Sequence, residues 1–185
     1  MFEDRHLLER LRQGDAAALR RLYEKYRTDL FTVALSLVQD VHAAEDCLQD
    51  VFVRLAEKAG QIAIRRNVKG YLISCVANRA RDQLRRKPVL PEQPESIGPA
   101  AELPDPAEQS SNREQLARVM QALASLPYPQ REAFVLRVQG GLKFHQIARS
   151  QQVSIKTALS RYRYGIEKLR ELLEKGNGHE IRKTD

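Results

Sequence analysis

Six of the chain's eight prolines fall between residues 87 and 112, in KPVLPEQPESIGPAAELPDPAEQSSN. Each proline fixes φ and removes a backbone donor, so such a run neither continues a helix nor pairs within a sheet. The segment also lacks apolar periodicity. A 185-residue chain interrupted in this way must fold as two parts joined by an extended, partly polyproline-like tether. The charge divides at the same places. Residues 1–86 carry 16 basic and 12 acidic groups, residues 87–112 one and five, and residues 113–185 carry 14 and seven. Two basic lobes therefore flank an acidic joint, within a net charge of +7 and a pI near 9.6. That balance favours a polyanion partner. The absence of any long uninterrupted apolar run predicts no membrane insertion and a cytoplasmic location.

The first part, residues 1–86, reads as four helices. Leu7, Leu8 and Leu11 mark a short one that stops at Gly14. Asp15 caps a longer one carrying Leu19, Leu22, Tyr23, Tyr26 and Leu30 to about Val38. Asp40 caps a third, whose apolar side is Ala44, Cys47, Leu48, Val51, Phe52 and Leu55. Its other side carries Glu45, Asp46, Gln49 and Asp50, and no Lys or Arg lies between Asp40 and Val53. Acidic groups near a helix N-terminus suit its dipole; a docking surface for a partner is the other account. The fourth helix, VKGYLISCVANRARDQLRRK, keeps Val68, Leu72, Val76, Ala80 and Leu84 inward. Ser74, Asn78, Arg81 and Arg85 recur at steps of four, three and four and so share a stripe. Arg65, Arg66, Lys69, Arg79 and Arg86 surround it against one acid, Asp82. Cations for phosphate, Tyr71 for stacking and an amide for a base edge suit single-stranded DNA better than a merely solvated face.

After the linker, residues 113–175 read as a second helical part, with residues 176–185 as a tail. Ser111 and Glu114 form an expected capping box for a helix burying Leu116, Val119, Met120, Leu123 and Leu126, broken by Pro127 and Pro129. QREAFVLRVQ leads to Gly140-Gly141. Then LKFHQIARSQQVSIKTALSRYRYGIEKLR gives a short helix, a turn at Gln151-Gln152-Val153 and a second helix capped by Ser154. Ile155, Ala158, Tyr162 and Ile166 line its inner side. Lys156, Thr157, Ser160, Arg161, Arg163 and Tyr164 lie on the others. This is a helix-turn-helix, whose second helix can enter a major groove; a helical hairpin with a solvated basic face is the competing reading. The fold class expected is all-α: two small helical domains joined by a Pro-rich acidic linker, the second ending in the helix-turn-helix. His6, His42, His145 and His179 lack ligand spacing, and Cys47 and Cys75 read as buried small hydrophobes. No metal, no cofactor and no catalytic constellation is expected.

Taken together, QGDAAALRRLYEKY, AEDCLQDVFVRL, GYLISCVANRARDQLRR and LPYPQREAFVLRVQGGLKFHQIA with VSIKTALSR resemble a bacterial RNA polymerase sigma factor of the extracytoplasmic-function (ECF) group. The similarity covers nearly the whole chain. It implies a specificity subunit and not an enzyme. Residues 1–86 would bind core polymerase and recognise and melt the −10 element; residues 113–175 would bind −35. Of the acidic helix, the resemblance marks Glu45, Asp46, Gln49, Asp50 and Phe52 as contacts for the polymerase clamp. It assigns the −10 strand to Arg65, Arg66, Lys69, Tyr71, Ser74, Asn78, Arg81 and Arg85, with Asn78 at the pocket for a flipped base. It assigns −35 DNA to Lys156, Thr157, Ser160, Arg161, Arg163 and Tyr164. Core RNA polymerase and promoter DNA are the implied partners, and an anti-sigma factor is a further possible one. Several positions depart from the family pattern. The chain has no tryptophan near Ala56 or Tyr71, Gln146 replaces a usual glutamate, and Leu159 and Tyr164 stand where basic residues are usual. Gln152 replaces a turn glycine and should carry a positive-φ strain of about 1–2 kcal/mol. A stand-alone helix-turn-helix regulator, acting without polymerase, is the alternative. A nuclease or deaminase would need clustered carboxylates or a zinc signature, and the sequence has neither.

Overall fold

The computed structural model describes residues 2–61, 67–86 and 106–177, which contain eight helices and no strand. Most of the expected linker, residues 87–105, lies outside the described residues, as do residues 178–185 of the tail.

The first lobe is built around one long helix. Helix α1 (Phe2–Arg12) turns Leu7, Leu8 and Leu11 inward and stops at Gly14, whose φ of +84° reverses the chain at no steric cost. Asp15 accepts from the Ala17 N–H at 2.8 Å and binds Arg10 Nε at 2.7 Å, starting α2 (Ala16–Val38) and tying it to α1. Leu22, Tyr26, Leu30, Val33 and Leu37 follow the buried side of α2, which packs against α1, α3 and α4. Asp40 caps α3 (Val41–Glu57) through the Ala43 N–H at 2.6 Å. Helix α4 (Val68–Arg86) starts where Asn67 Oδ1 accepts from the Gly70 N–H, and it buries Leu72, Ile73, Val76, Ala77 and Ala80. Leu84, expected inside, is only half-buried, in the last turn of the helix.

The second lobe departs more from expectation. Helix α5 (Pro106–Ala124) begins five residues before the anticipated Ser111 cap. Proline suits a first helical turn, since its fixed φ is helical and its missing N–H has no intrahelical partner there. Ser111 consequently lies inside the helix, and Glu114 pairs with Arg118 at 3.0 Å. Leu116 and Val119 are exposed rather than buried, at 54% and 40%. The helix packs mainly on α8 and α2, and of the residues expected inside only Met120 and Leu123, with Leu126 just beyond the helix, are buried. Pro127 ends the connection, but Pro129 sits within the first turn of α6 (Tyr128–Val138) and breaks nothing.

Helices α7 (Phe144–Gln151) and α8 (Ile155–Asn177) complete the lobe around Leu136, Leu142, Ile147 and Ala158. Tyr162 of α8 places its ring 6.4 Å from Phe134 and 5.3 Å from Phe144, joining three helices. Gly165 permits the close crossing of α8 over α6, because a Cβ there would lie 3.3 Å from the Gln130 carbonyl oxygen. Ile155, expected on the inner side, is 55% exposed. Helical side chains lean toward the N-terminus, so a residue in the first position projects past the partner helix.

Gln152 does occupy the left-handed region, with φ 55° and ψ 44°. Relieving about 1–2 kcal/mol of strain outweighs the roughly 0.5–1 kcal/mol of extra chain entropy that glycine loses on folding. Gln152→Gly should therefore stabilise the protein by about 0.5–1 kcal/mol in urea denaturation; destabilisation would contradict this balance.

The two lobes touch. Helix α6 packs on α2, and α4 meets α6 and α7. A Cβ on Gly140 would stand 3.0 Å from the Ile73 side chain, and the buried apolar residues of both lobes form one continuous cluster.

Candidate nucleic-acid interface

The start of α8 is held by its cap. Ser154 Oγ accepts from the Thr157 N–H at 3.0 Å and lies 2.8 Å from the Thr157 hydroxyl. Lys156, Thr157, Ser160, Arg163 and Tyr164 then recur within one arc of the helix, at steps that bring them to the same side. All are exposed except Ser160, which is half-buried. Arg161 stands at the edge of that arc and turns back, donating to Gln151 Oε1 at 2.9 Å. On α7, Gln146 Oε1 accepts from the Lys143 N–H at 2.9 Å, so the amide closes the first turn as a glutamate would.

On α4 the stripe resolves into exposed and occupied members. Tyr71, Asn78 and Arg85 are exposed and recur every seven residues, two turns apart. Burial of its inner edge, with Cys75 adding to the effect, pushes the Tyr71 phenol up to about 12, so it remains a hydrogen-bond donor. Ser74 donates back to the Gly70 carbonyl at 2.8 Å, and Lys69 pairs with Asp29 of α2 at 2.5 Å. Arg81 donates to Asn78 Oδ1 at 3.1 Å and to Glu132 of the second lobe at 2.5 Å. Arg65 and Arg66 lie outside the described residues.

The acidic face of α3 exposes Glu45, Asp46 and Gln49. Asp50 is half-buried and ion-paired with Arg79 of α4. Phe52 is not on this face: it is buried, with its ring edge-on to Tyr23 at 5.0 Å. The helix period brings in a residue that sequence reasoning missed. Val53 is 54% exposed and continues the row Glu45, Gln49, Val53. Its signal was available, since Val53 has no place in the apolar side running from Ala44 to Leu55. Cys47, on the opposite side, donates to Gln83 Oε1 at 2.9 Å, and burial pushes its thiol up to about 11. Among the described residues no helix is long and apolar enough to cross a membrane.

Comparison with known proteins supplies the family. The Sigma-70 region 2 family matches residues 22–88, and the Sigma-70 region 4 family matches residues 116–169. The RNA polymerase sigma factor CarQ of Myxococcus xanthus is 30% identical over 169 residues, spanning 90% of this chain and 95% of that protein. The ECF RNA polymerase sigma factor RpoE of Cereibacter sphaeroides is 29% identical, over 85% of this chain and 87% of its own. CnrH, solved in complex with the cytosolic domain of CnrY, shares the fold with a TM-score of 0.70 at 23% identity, over 94% of this chain and 98% of that one. An all-α pair of lobes ending in a capped helix-turn-helix, matched by both sigma regions in order, thus belongs to the ECF group of RNA polymerase sigma factors, which bind core polymerase and direct promoter-specific transcription initiation.

Proposed function

We propose that this sigma factor divides its work among three surfaces. Helix α3 docks on the polymerase clamp through Glu45, Asp46 and Gln49, with Asp50 and the exposed Val53 at the edge of the contact. Helix α4 captures the displaced strand at −10: Tyr71 stacks, Asn78 reads a base, and Arg81 and Arg85, with Lys69, Arg65 and Arg66, hold phosphates. Helix α8 enters the −35 major groove with Lys156, Thr157, Ser160, Arg163 and Tyr164, and Arg161 joins once released from Gln151. The observation that carries this reading is the heptad-spaced exposure of Tyr71, Asn78 and Arg85 on one side of α4, apart from the acidic face of α3. Acids on one face and cations on the other let polymerase and DNA be held without competing. Polymerisation stays with the core, and the chain itself is a cytoplasmic binding subunit rather than an enzyme.

Reversing two charges tests the docking face. The double variant Glu45→Lys with Asp46→Lys should weaken capture by core polymerase about tenfold, because rim charges that face a complementary patch become repulsive. Binding to duplex promoter DNA by the second lobe should be retained. Unchanged polymerase affinity in a pull-down titration would remove α3 from the interface and favour a regulator that acts on duplex DNA alone.

A further inference from the structure

On α8 the helix period sorts the exposed arc into rows. Lys156 and Arg163 stand seven residues apart and form one row; Thr157 and Tyr164 form the next. Ser160 lies between the two rows, and Arg161 lies beyond the second. Cations therefore hold both edges of the arc, while its middle, Thr157, Ser160 and Tyr164, is uncharged. A major groove is sorted in the same way. Phosphates line its two walls and suit the edge cations, and base edges lie on its floor, opposite the middle of an inserted helix.

The groups that the middle offers are mostly apolar. The Thr157 hydroxyl is already engaged, 2.8 Å from Ser154 Oγ, which also accepts the Thr157 N–H at 3.0 Å. That leaves the methyl as the free end of an exposed side chain. Tyr164 is 60% exposed, more than any other large hydrophobic among the described residues. A lone aromatic on a solvated face would mean nothing. This one continues the row of Thr157 on the helix that follows the turn of a helix-turn-helix. Ser160 is half-buried between them, and a serine hydroxyl pairs with more than one base.

Chemistry then selects the base. Guanine is discriminated by a bidentate Arg or Lys, and adenine by a bidentate Asn or Gln. The middle of the arc holds none of these. A methyl and an aromatic ring match the one apolar group on the groove floor, the C5-methyl of thymine. Seven residues of helix rise about 10.5 Å, or about three base-pair steps of roughly 3.4 Å. Two thymine contacts made by this row therefore lie within about three base pairs of each other.

Resting on the −35 role proposed for α8, we infer that Thr157 and Tyr164 are specificity-determining residues that recognise thymine C5-methyl groups in the −35 element. The test uses a promoter duplex recovered by run-off transcription, resynthesised with each −35 thymine in turn replaced by deoxyuridine, which lacks that methyl. Holoenzyme reconstituted from the full chain and core polymerase should bind about fourfold more weakly at two neighbouring positions, the effect of uncovering one methyl-sized group. Thr157→Ser keeps the hydroxyl at the cap and deletes only the methyl, so it should bind thymine and uridine equally at one position. Tyr164→Ala should do so at the other, and Tyr164→Phe should discriminate as the wild type does. Equal wild-type affinity for every uridine duplex would overturn the inference. So would wild-type discrimination retained in Thr157→Ser and Tyr164→Ala, or lost in Tyr164→Phe. Weakening confined to duplexes carrying 7-deazaguanine would move base reading to the edge cations and sink it equally. Scrambling the whole −35 element separates the two levels. Binding that does not respond refutes the −35 role itself, and binding that responds while ignoring uridine refutes only the methyl contacts.

Discussion

Replacing Asn78 with alanine is expected to slow open-complex formation about ten- to a hundredfold while leaving polymerase binding unchanged, from a base-edge amide contact worth about 1–3 kcal/mol. Asn78 is exposed on α4, and its Oδ1 accepts from Arg81 at 3.1 Å at the surface. Removing the amide leaves no cavity and no buried orphan, and alanine is the better helix former. The fold should therefore be as stable as before, or slightly more so. Extruding a base costs a few kcal/mol, and lost contacts at its pocket go directly into that barrier. Permanganate footprinting of the melted strand measures the effect. Equal loss of polymerase binding would assign Asn78 a structural role instead.

Leu136→Ala has the largest expected effect on stability. Leu136 is fully buried in α6, and its carbonyl also accepts the Leu142 N–H at 2.9 Å at the entry to the helix-turn-helix. Truncating a leucine at such a site costs about 2–5 kcal/mol through lost transfer energy and a residual cavity. That is a large share of a small domain's stability. The second lobe should lose its support beneath α8, and −35 duplex binding should fall with it at growth temperature. Polymerase capture should persist, since Leu22, Leu30, Cys47 and Val51 of the first lobe stay buried around α2 and α3. Thermal denaturation followed by circular dichroism, together with a duplex-binding titration, reads both effects. A variant as stable as wild type would contradict the packing described for α6.

Local chemistry was legible in the sequence, and tertiary cover was not. Asp15, Asp40 and Ser154 cap α2, α3 and α8 as expected, because a cap depends only on residues two or three positions away. Gln152 likewise took the strained turn that its position demanded. Leu116, Val119 and Ile155 were placed inside by their period, yet period identifies a face and not what covers it. Phe52 shows the same limit in reverse: a residue proposed for a partner belongs to the core against Tyr23. Glu132 gave no signal at all. A lone glutamate in an amphipathic helix reads as a solvated residue until the fold brings Arg81, 51 positions earlier, against it.

Run-off transcription on genomic fragments, with the purified chain and core polymerase added separately and together, is the direct test of sigma activity. Discrete transcripts are expected that require both components and weaken steeply with salt, because phosphate contacts dominate affinity. Tight duplex binding by the chain alone, with no transcript when core polymerase is added, would contradict it.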